Sequence, residues 1–155
     1  MTEDNRKEAA LARFVITSST WRNLDRESFS RLSQRYRRSR AGLGITGLML
    51  YEDGNLLQLL EGPEVVLDRI YRSTLLDSNY NKVVKLFQRD IVDREFTGHS
   101  SAYGVVGQQA FTCMETNRAY FIEMDEFRRI KPDKTKNLVQ GFVAGKWRLK
   151  PLSAS

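Results

Sequence analysis

Residues 44–62, GITGLMLYEDGNLLQLLEG, contain two short apolar runs separated by a polar turn. The runs are residues 48–51 and 56–60, and the turn between them has the sequence EDGN. Two strand-like runs joined by a short turn that contains Asp-Gly are typical of a β-hairpin. The stretch therefore predicts two adjacent antiparallel strands.

Gln58 is the one polar residue of the second run, with two leucines on each side of it. A buried amide costs stability unless its donors and its acceptor find partners. Gln58 is therefore either a structural amide or part of a functional site. Because residues 56–60 are apolar in both alternating positions, we also expect this strand to be covered on both faces of its sheet.

The residues before the hairpin predict a strand followed by a helix. Residues 11–18 are predicted to form a strand with an apolar centre at residues 14–16, and Asp25 is a residue type that caps helix N-termini. Apolar side chains at spacings of three and four predict a helix from there to about residue 38. Residues 40–44 would then form a flexible connector to the hairpin.

The residues after the hairpin predict a second helix up to about Asp77, and then strands at residues 83–91 and 101–106. The element order is β-α-β-β-α-β with one additional strand, which is the ferredoxin-like pattern of an α+β fold. We therefore predict a five-stranded mixed sheet with two helices on one face. Two further helices, residues 116–128 and 136–148, are expected to cover the other face.

This element order predicts a single folded unit with short extensions. Residues 1–10 are predicted to be a polar tail, residues 11–107 the core, residues 108–150 a helical cap and residues 151–155 a loose tail. A chain of 155 residues with 41% hydrophobic and 10% aromatic residues is long and apolar enough to bury one core.

Composition also narrows the classes of function. One cysteine excludes an internal disulfide framework and a cysteine-rich zinc site, and it fits a reducing compartment. No apolar run approaches the roughly 18 residues that a membrane span needs, and the N-terminus lacks the apolar segment of a signal peptide. We expect a cytoplasmic protein without membrane association. No spacing of nucleophile, base or metal ligands indicates an enzyme or a metal site.

Several motifs together resemble the BLUF family, blue-light sensors that use flavin. They are ITGLMLY, a short turn, LLQLLEGP, a helix that ends at Asp77, and Arg94-x-Phe96. The resemblance covers about residues 12–106 and implies a five-stranded sheet with two helices on one face. It also implies a flavin ring between those helices, with a tyrosine and a glutamine that exchange an electron, a proton and hydrogen bonds under light.

The resemblance places Gln58 at the switching glutamine and Asp77 at the retained end of the second helix. The other positions that contact flavin in the family carry different residues here. Ile16 replaces the tyrosine, Arg40 replaces an asparagine, Tyr80 replaces a histidine, and Ser73 replaces a basic residue, with Arg72 beside it. In the last strand, which reports the state of the flavin in the family, His99 and Ser101 replace a tryptophan and a methionine. Isoleucine can neither donate an electron to flavin nor hydrogen-bond to the glutamine. An arginine cannot reproduce the paired donor and acceptor of an amide.

These substitutions favour a regulatory or protein-interaction module without a cofactor and without the family's photochemistry. The alternative is a photoreceptor that holds FAD through an altered site formed by Gln58 and Asp77 together with Arg40 or Arg72. His99, the only histidine, is predicted to be a solvated or hydrogen-bonded surface residue.

Arg31, Arg35 and Arg38 fall on one face of the first predicted helix, in a chain of net charge +6. Such a face is either solvated or a docking surface for a partner protein with an acidic surface. A nucleic-acid-associated regulator that uses the arginine face is the weaker alternative, because the sequence shows no interleaved aromatic platform and no recognised DNA-binding motif. The sequence leaves open whether the chain forms a homo-oligomer.

Overall fold

The computed structural model describes residues 10–105, 111–116, 119–120 and 133–149. The described strands form one seven-stranded mixed sheet. In chain order they are β1 (Leu11–Thr20), β2 (Thr46–Glu52), β3 (Asn55–Pro63), β4 (Tyr80–Ile91), β5 (His99–Gly104), β6 (Phe111–Cys113) and β7 (Ala119–Tyr120). Across the sheet their order is β4-β1-β3-β2-β5-β6-β7. Strands β2 and β5 run parallel, and every other neighbouring pair is antiparallel.

Three helices complete the described fold: α1 (Arg26–Gly42), α2 (Glu64–Leu76) and α3 (Lys134–Val143). The predicted α+β, ferredoxin-like arrangement is confirmed in its element order and in its first five strands. The predicted strand number of five is too low, because β6 and β7 extend the sheet beyond β5.

The predicted hairpin is present as β2 and β3. Glu52 pairs with Asn55 across a two-residue turn in which Asp53 has φ 48° and Gly54 has φ 81°. Positive φ at both central positions is the geometry of the tight hairpin turn whose twist matches the flanking strands, and Asp-Gly is suited to it. Gly47 has φ 151°, and a Cβ there would collide with the carbonyl oxygen of Leu59. The glycine of the ITG motif is therefore required by the close approach of β3.

Strand β3 is buried on both faces, as the sequence predicts. Leu57 and Leu59 belong to a core cluster that includes Leu138, Val139 and Phe142 of α3. On the opposite face, Leu60 packs in a cluster with Leu67 of α2, and Leu56 packs in a cluster with Phe29 of α1. The C-terminal helix therefore covers the face that α1 and α2 leave open.

Several predicted boundaries are wrong. Helix α1 continues to Gly42, so Arg40 lies in the helix and not in a flexible connector. Strand β5 is shifted, at His99–Gly104 instead of residues 101–106. The predicted helix at residues 116–128 begins with a turn and then the strand Ala119–Tyr120, because this segment pairs with β6; residues 121–128 lie outside the described part. The last helix is Lys134–Val143, capped by the Asp133 side chain, and it ends before Gly145 at φ 99°.

A buried ion pair links these layers. Arg13 Nη2 donates to Glu61 Oε2 at 2.7 Å, and both side chains are almost fully buried. The other oxygen, Glu61 Oε1, accepts from the backbone N–H groups of Glu95 and Phe96, each at 2.9 Å. Arg13 Nη1 also lies 3.6 Å from Asp133 Oδ2 at the start of α3. Glu61 thus joins β3 to β1 and to the bend before β5, and Arg13 extends the link to α3.

Candidate functional site

A row of four buried side chains crosses the middle of the sheet on the face covered by α1 and α2. Ile16 on β1 is the cross-strand neighbour of Gln58 on β3, which is the neighbour of Met49 on β2. Met49 is in turn the neighbour of Ser101 on β5. None of the four side chains is more than 1% exposed. Ile16 lies in an apolar cluster with Leu60 and residues of α2.

Arg40 of α1 lies buried over this row, with 4% of its surface exposed. Its Nη2 donates to Gln58 Oε1 at 2.5 Å, and its Nη1 donates to His99 Nε2 at 3.0 Å. The guanidinium also stands over the ring of Tyr36, 4.1 Å from the centroid. Among the described residues no carboxylate forms an ion pair with Arg40. An amide, an imidazole and an aromatic ring therefore replace a counter-ion, and burial lowers the pKa of Arg40.

His99 is a buried partner of Arg40, so the prediction of a surface residue is wrong. Burial, and then the guanidinium groups of Arg40 and Arg37, lower the pKa of His99 to about 3. Since arginine can only donate, Nε2 accepts and the neutral ring carries its proton on Nδ1. Among the described residues Nδ1 has no hydrogen-bond partner. His99 is the first residue of β5 and pairs with Gly47, beneath the end of α1.

Two tyrosines continue the network between α1 and the sheet. The hydroxyls of Tyr36 on α1 and Tyr80 on β4 are 2.6 Å apart. Tyr80 is buried, and burial followed by the neighbouring Tyr36 raises its pKa well above the ordinary value. Polar side chains therefore link α1 to three strands. Arg40 contacts β3 and β5, and Tyr36 contacts Tyr80 of β4.

Two cavities lie beside this network. The smaller, of about 300 Å³, lies between α1 and α2 and is lined in part by Arg40, Ser73 and Asp77. The larger, of about 700 Å³, lies at the C-terminal end of α2, and Tyr36 and Asp77 line both. Asp77 Oδ1 accepts from the backbone N–H of Asn79 at 2.9 Å.

The structure therefore brings together Arg40, Ser73 and Asp77 at one cleft, with Gln58 directly behind Arg40. It does not bring Arg72 there. The Arg72 side chain is 75% exposed, pairs with Asp68 of the same helix at 3.1 Å and lines neither cavity.

Ser101 belongs to a polar group that the sequence analysis missed. Its hydroxyl forms a short hydrogen bond with the hydroxyl of Ser33 on α1. Glu115, just after β6, accepts from the backbone N–H of Ser101 at 2.6 Å and from its hydroxyl at 3.1 Å. Burial raises the pKa of Glu115, and Arg37 Nη1 lies 3.8 Å from its carboxylate. These contacts tie the segment after β6 to β5 and α1.

A sequence signal for the burial of Arg40 exists. Phe29, Leu32 and Tyr36 define the inward face of α1 by their spacing, and Arg40 follows Tyr36 by four residues on that same face. Ser33 likewise follows Phe29 by four. The contacts to His99 and Glu115 have no local signal, because those residues come from distant strands.

Arg31, Arg35 and Arg38 are exposed on α1. Arg31 pairs with Glu27 at 3.2 Å, one turn earlier in the same helix. Within the described residues, no group of histidine, cysteine, aspartate or glutamate could hold a metal ion. None of the described helices has the length and apolar character needed to cross a membrane.

The BLUF family model, described as sensors of blue light using FAD, matches residues 11–102. The chain therefore belongs to the BLUF family. No curated protein matches the sequence.

Solved structures of BLUF proteins have a similar fold. The BLUF structure of BlrP1 is 21% identical, with a TM-score of 0.62, and the match covers 92% of this chain and 98% of that one. The Klebsiella pneumoniae BlrP1 calcium/cy-diGMP complex is 20% identical, with a TM-score of 0.63 over 87% of this chain. BlrB, a BLUF protein in its dark state, is 25% identical, with a TM-score of 0.54 over 63% of this chain and 74% of that one. The chain spans 34% of the length of the BlrP1 complex chain.

Proposed function

We propose that this protein is a non-enzymatic regulatory module of the BLUF type that acts through protein contacts and does not bind flavin in the family's usual way. The observation that carries the proposal is the buried pair of Arg40 and Gln58. Arg40 stands where the family resemblance implies the flavin-binding asparagine, and it already occupies the oxygen of the residue that matches the switching glutamine.

The residues around Gln58 do not fit a flavin ring held in that way. Ile16, the cross-strand neighbour of Gln58, offers no hydrogen bond and lies in an apolar cluster. The guanidinium of Arg40 has only donors, whereas an amide offers a donor and an acceptor to the ring edge. Arg40, Tyr36 and Tyr80 instead form a closed network among themselves and the sheet. We therefore infer that side chains of this protein replace contacts that flavin makes in its relatives.

The exposed arginines of α1 support a docking surface. Arg31, Arg35 and Arg38 project from a helix whose other side holds Arg40 against the sheet. Guanidinium groups bind carboxylates in two-pronged geometry, so the matching partner surface is acidic. Pull-down with wild type and with Arg31→Glu/Arg35→Glu/Arg38→Glu tests this surface. Loss of the captured protein with the triple variant supports it, and equal recovery contradicts it.

A photoreceptor with an altered FAD site is the second candidate. The cleft of about 300 Å³ between α1 and α2 favours it, because Ser73 and Asp77 stand there at positions that the family resemblance assigns to flavin contacts. That volume is at the lower limit of ligand pockets, which span about 300–1,000 Å³.

The colour of the purified protein separates the two candidates. Protein produced with excess flavin and then desalted should be colourless under the first proposal, whereas retained flavin absorption that shifts reversibly under blue light would support the second. Ile16→Tyr/Arg40→Asn is the informative companion variant, because it restores the tyrosine and the asparagine. Under the first proposal this variant retains more flavin than wild type.

A further inference from the structure

The cavity of about 700 Å³ at the C-terminal end of α2 is lined mainly by residues outside the network around Arg40. Its walls come from the end of β1 and the following loop, residues 28–36 of α1, and residues 77–80. Its volume lies within the range of about 300–1,000 Å³ that is typical of small-molecule sites.

Positive charge predominates along its walls. Arg22, Arg31 and Arg35 line the cavity, and Asp77 is its only acidic lining residue among those that the structure describes. Among the described residues, neither Arg22 nor Arg35 forms an ion pair. The contact of Arg31 with Glu27 is exposed at both ends and therefore weak. Three guanidinium groups thus remain available to an anion.

Aromatic surface lies beside these charges. Trp21 is 65% exposed, and its backbone N–H donates to the carbonyl of Asn79 at 3.3 Å, which fixes the residue at the rim. Tyr36 and Tyr80 also line the cavity. An indole left in water beside a cationic cavity can stack on a planar ring.

From this combination we infer that the cavity binds a nucleoside phosphate of mononucleotide size. Guanidinium forks of Arg22, Arg31 and Arg35 bind the phosphate oxygens, since arginine matches phosphate in bidentate geometry. The base stacks on Trp21. A longer single strand is disfavoured because the described wall contains one exposed aromatic residue, and strand-binding surfaces stack successive bases on several.

Gln58 and Arg40 do not line this cavity, but Asp77 lines both cavities and Tyr80 stands at a flavin position of the family. The arginines and Trp21 that carry the inference lie outside the smaller cleft.

The inferred nucleotide site does overlap with the docking surface, since Arg31 and Arg35 belong to both. Arg38 belongs to the docking surface alone, so Arg38→Glu weakens partner capture and leaves nucleotide binding unchanged.

The test is a calorimetric titration of the full chain with AMP, GMP, pyrophosphate and inorganic phosphate. We expect saturable single-site binding of at least one mononucleotide, tighter than that of pyrophosphate or phosphate. Arg22→Ala and Arg35→Ala should each weaken nucleotide binding roughly tenfold, as loss of one charge-assisted contact predicts. Arg38→Ala is the matched control and should bind as wild type does.

Trp21→Leu separates base stacking from charge. It should weaken nucleotide binding and leave pyrophosphate binding unchanged. In a Trp147→Phe background, which leaves Trp21 as the single tryptophan, nucleotide should quench the remaining fluorescence. Circular dichroism of each variant confirms that it is folded. Absence of saturable binding of any mononucleotide, equal losses with Arg38→Ala and Arg35→Ala, or binding of oligonucleotides only would overturn the inference.

Discussion

Arg40 and Gln58 form a buried side-chain pair in which Nη2 of the guanidinium donates to Oε1 of the amide at 2.5 Å. The pair joins α1 to the centre of the sheet, and each side chain is at most 4% exposed. It explains why an amide is tolerated among four leucines in β3. Removing the acceptor of Arg40 should therefore lower the free energy of unfolding, because a buried guanidinium without its acceptors is costly.

Gln58→Leu should destabilise the protein by about 2–3 kcal/mol, because it removes an acceptor from a buried charge. Gln58→Leu combined with Arg40→Met should recover most of that loss, since replacing both partners by apolar groups can be nearly neutral. Urea unfolding of the two single variants and the double variant measures this coupling. Gln34→Leu, on the exposed side of α1, is the control and should change stability by less than about 0.5 kcal/mol. Strictly additive effects of the two substitutions would contradict the pairing.

Stability should fall as the pH falls below the ordinary pKa of histidine. His99 has a pKa of about 3 in the folded protein, against a usual value of 6.5, because it is buried beside Arg40. Between those values the unfolded chain binds a proton that the folded chain does not, so the stabilisation is full above about pH 6.5 and is lost toward pH 3. The slope from this residue is at most about 1.4 kcal/mol per pH unit.

His99→Gln isolates that contribution. When the pH is lowered from about 6 to about 5, the unfolding free energy of wild type should fall by about 1 kcal/mol more than that of the variant. Parallel curves for the two proteins over this interval would show that His99 does not titrate as its burial implies.

The hairpin could be predicted from sequence because its signal is local: Asp53 and Gly54 supply the positive φ values that the turn requires. Helical spacing places Arg40 on the inward face of α1, but this spacing does not predict that a charged side chain stays buried there. Its acceptors, Gln58 and His99, are 18 and 59 residues away, and without them an arginine belongs on the surface. The short strand Ala119–Tyr120 was missed for a similar reason, since its pairing with β6 overrides the local helical spacing.

One feature of β3 could be predicted from sequence and another could not. The apolar positions of β3 predicted a cover on both sides, and α3 provides the second one. The ion pair of Arg13 with Glu61 on that face had no sequence signal, because the partners come from different strands that meet only in the sheet.

Breaking the buried ion pair should be costly, whereas breaking an exposed one should not. Glu61→Gln removes the closest carboxylate from Arg13, which keeps Asp133 at 3.6 Å, and weakens the acceptor of two backbone N–H groups. We therefore expect a loss of about 3 kcal/mol, the lower end of the cost of breaking a buried pair. Asp68→Asn breaks the exposed pair with Arg72 and should cost less than about 1 kcal/mol. Thermal and urea unfolding measure both. Similar losses for the two variants would contradict the central role of Glu61.

Arg148 should hold α3 on the sheet. Its Nη2 lies 2.8 Å from Glu52 Oε1 and donates to the carbonyl of Phe142 at 2.7 Å, with the guanidinium over the Phe142 ring. In Arg148→Ala, amide hydrogen exchange in α3 should accelerate more than exchange in β1 and β3, because local opening becomes easier. Lys146→Ala, at an exposed neighbouring position, is the control. Unchanged protection of α3 in Arg148→Ala would show that apolar packing alone fixes the helix.

The affinity of wild type for FAD, compared with that of Arg40→Asn, tests most directly whether Arg40 has taken over the flavin contact at Gln58. Quenching of flavin fluorescence in the dark measures both proteins under the same conditions. We predict no saturable quenching with wild type and measurable binding with Arg40→Asn, because the variant frees Gln58 and restores an amide at the ring edge. Tight binding of FAD by wild type, weakened by Arg40→Asn, would contradict the account and identify Arg40 as a flavin ligand.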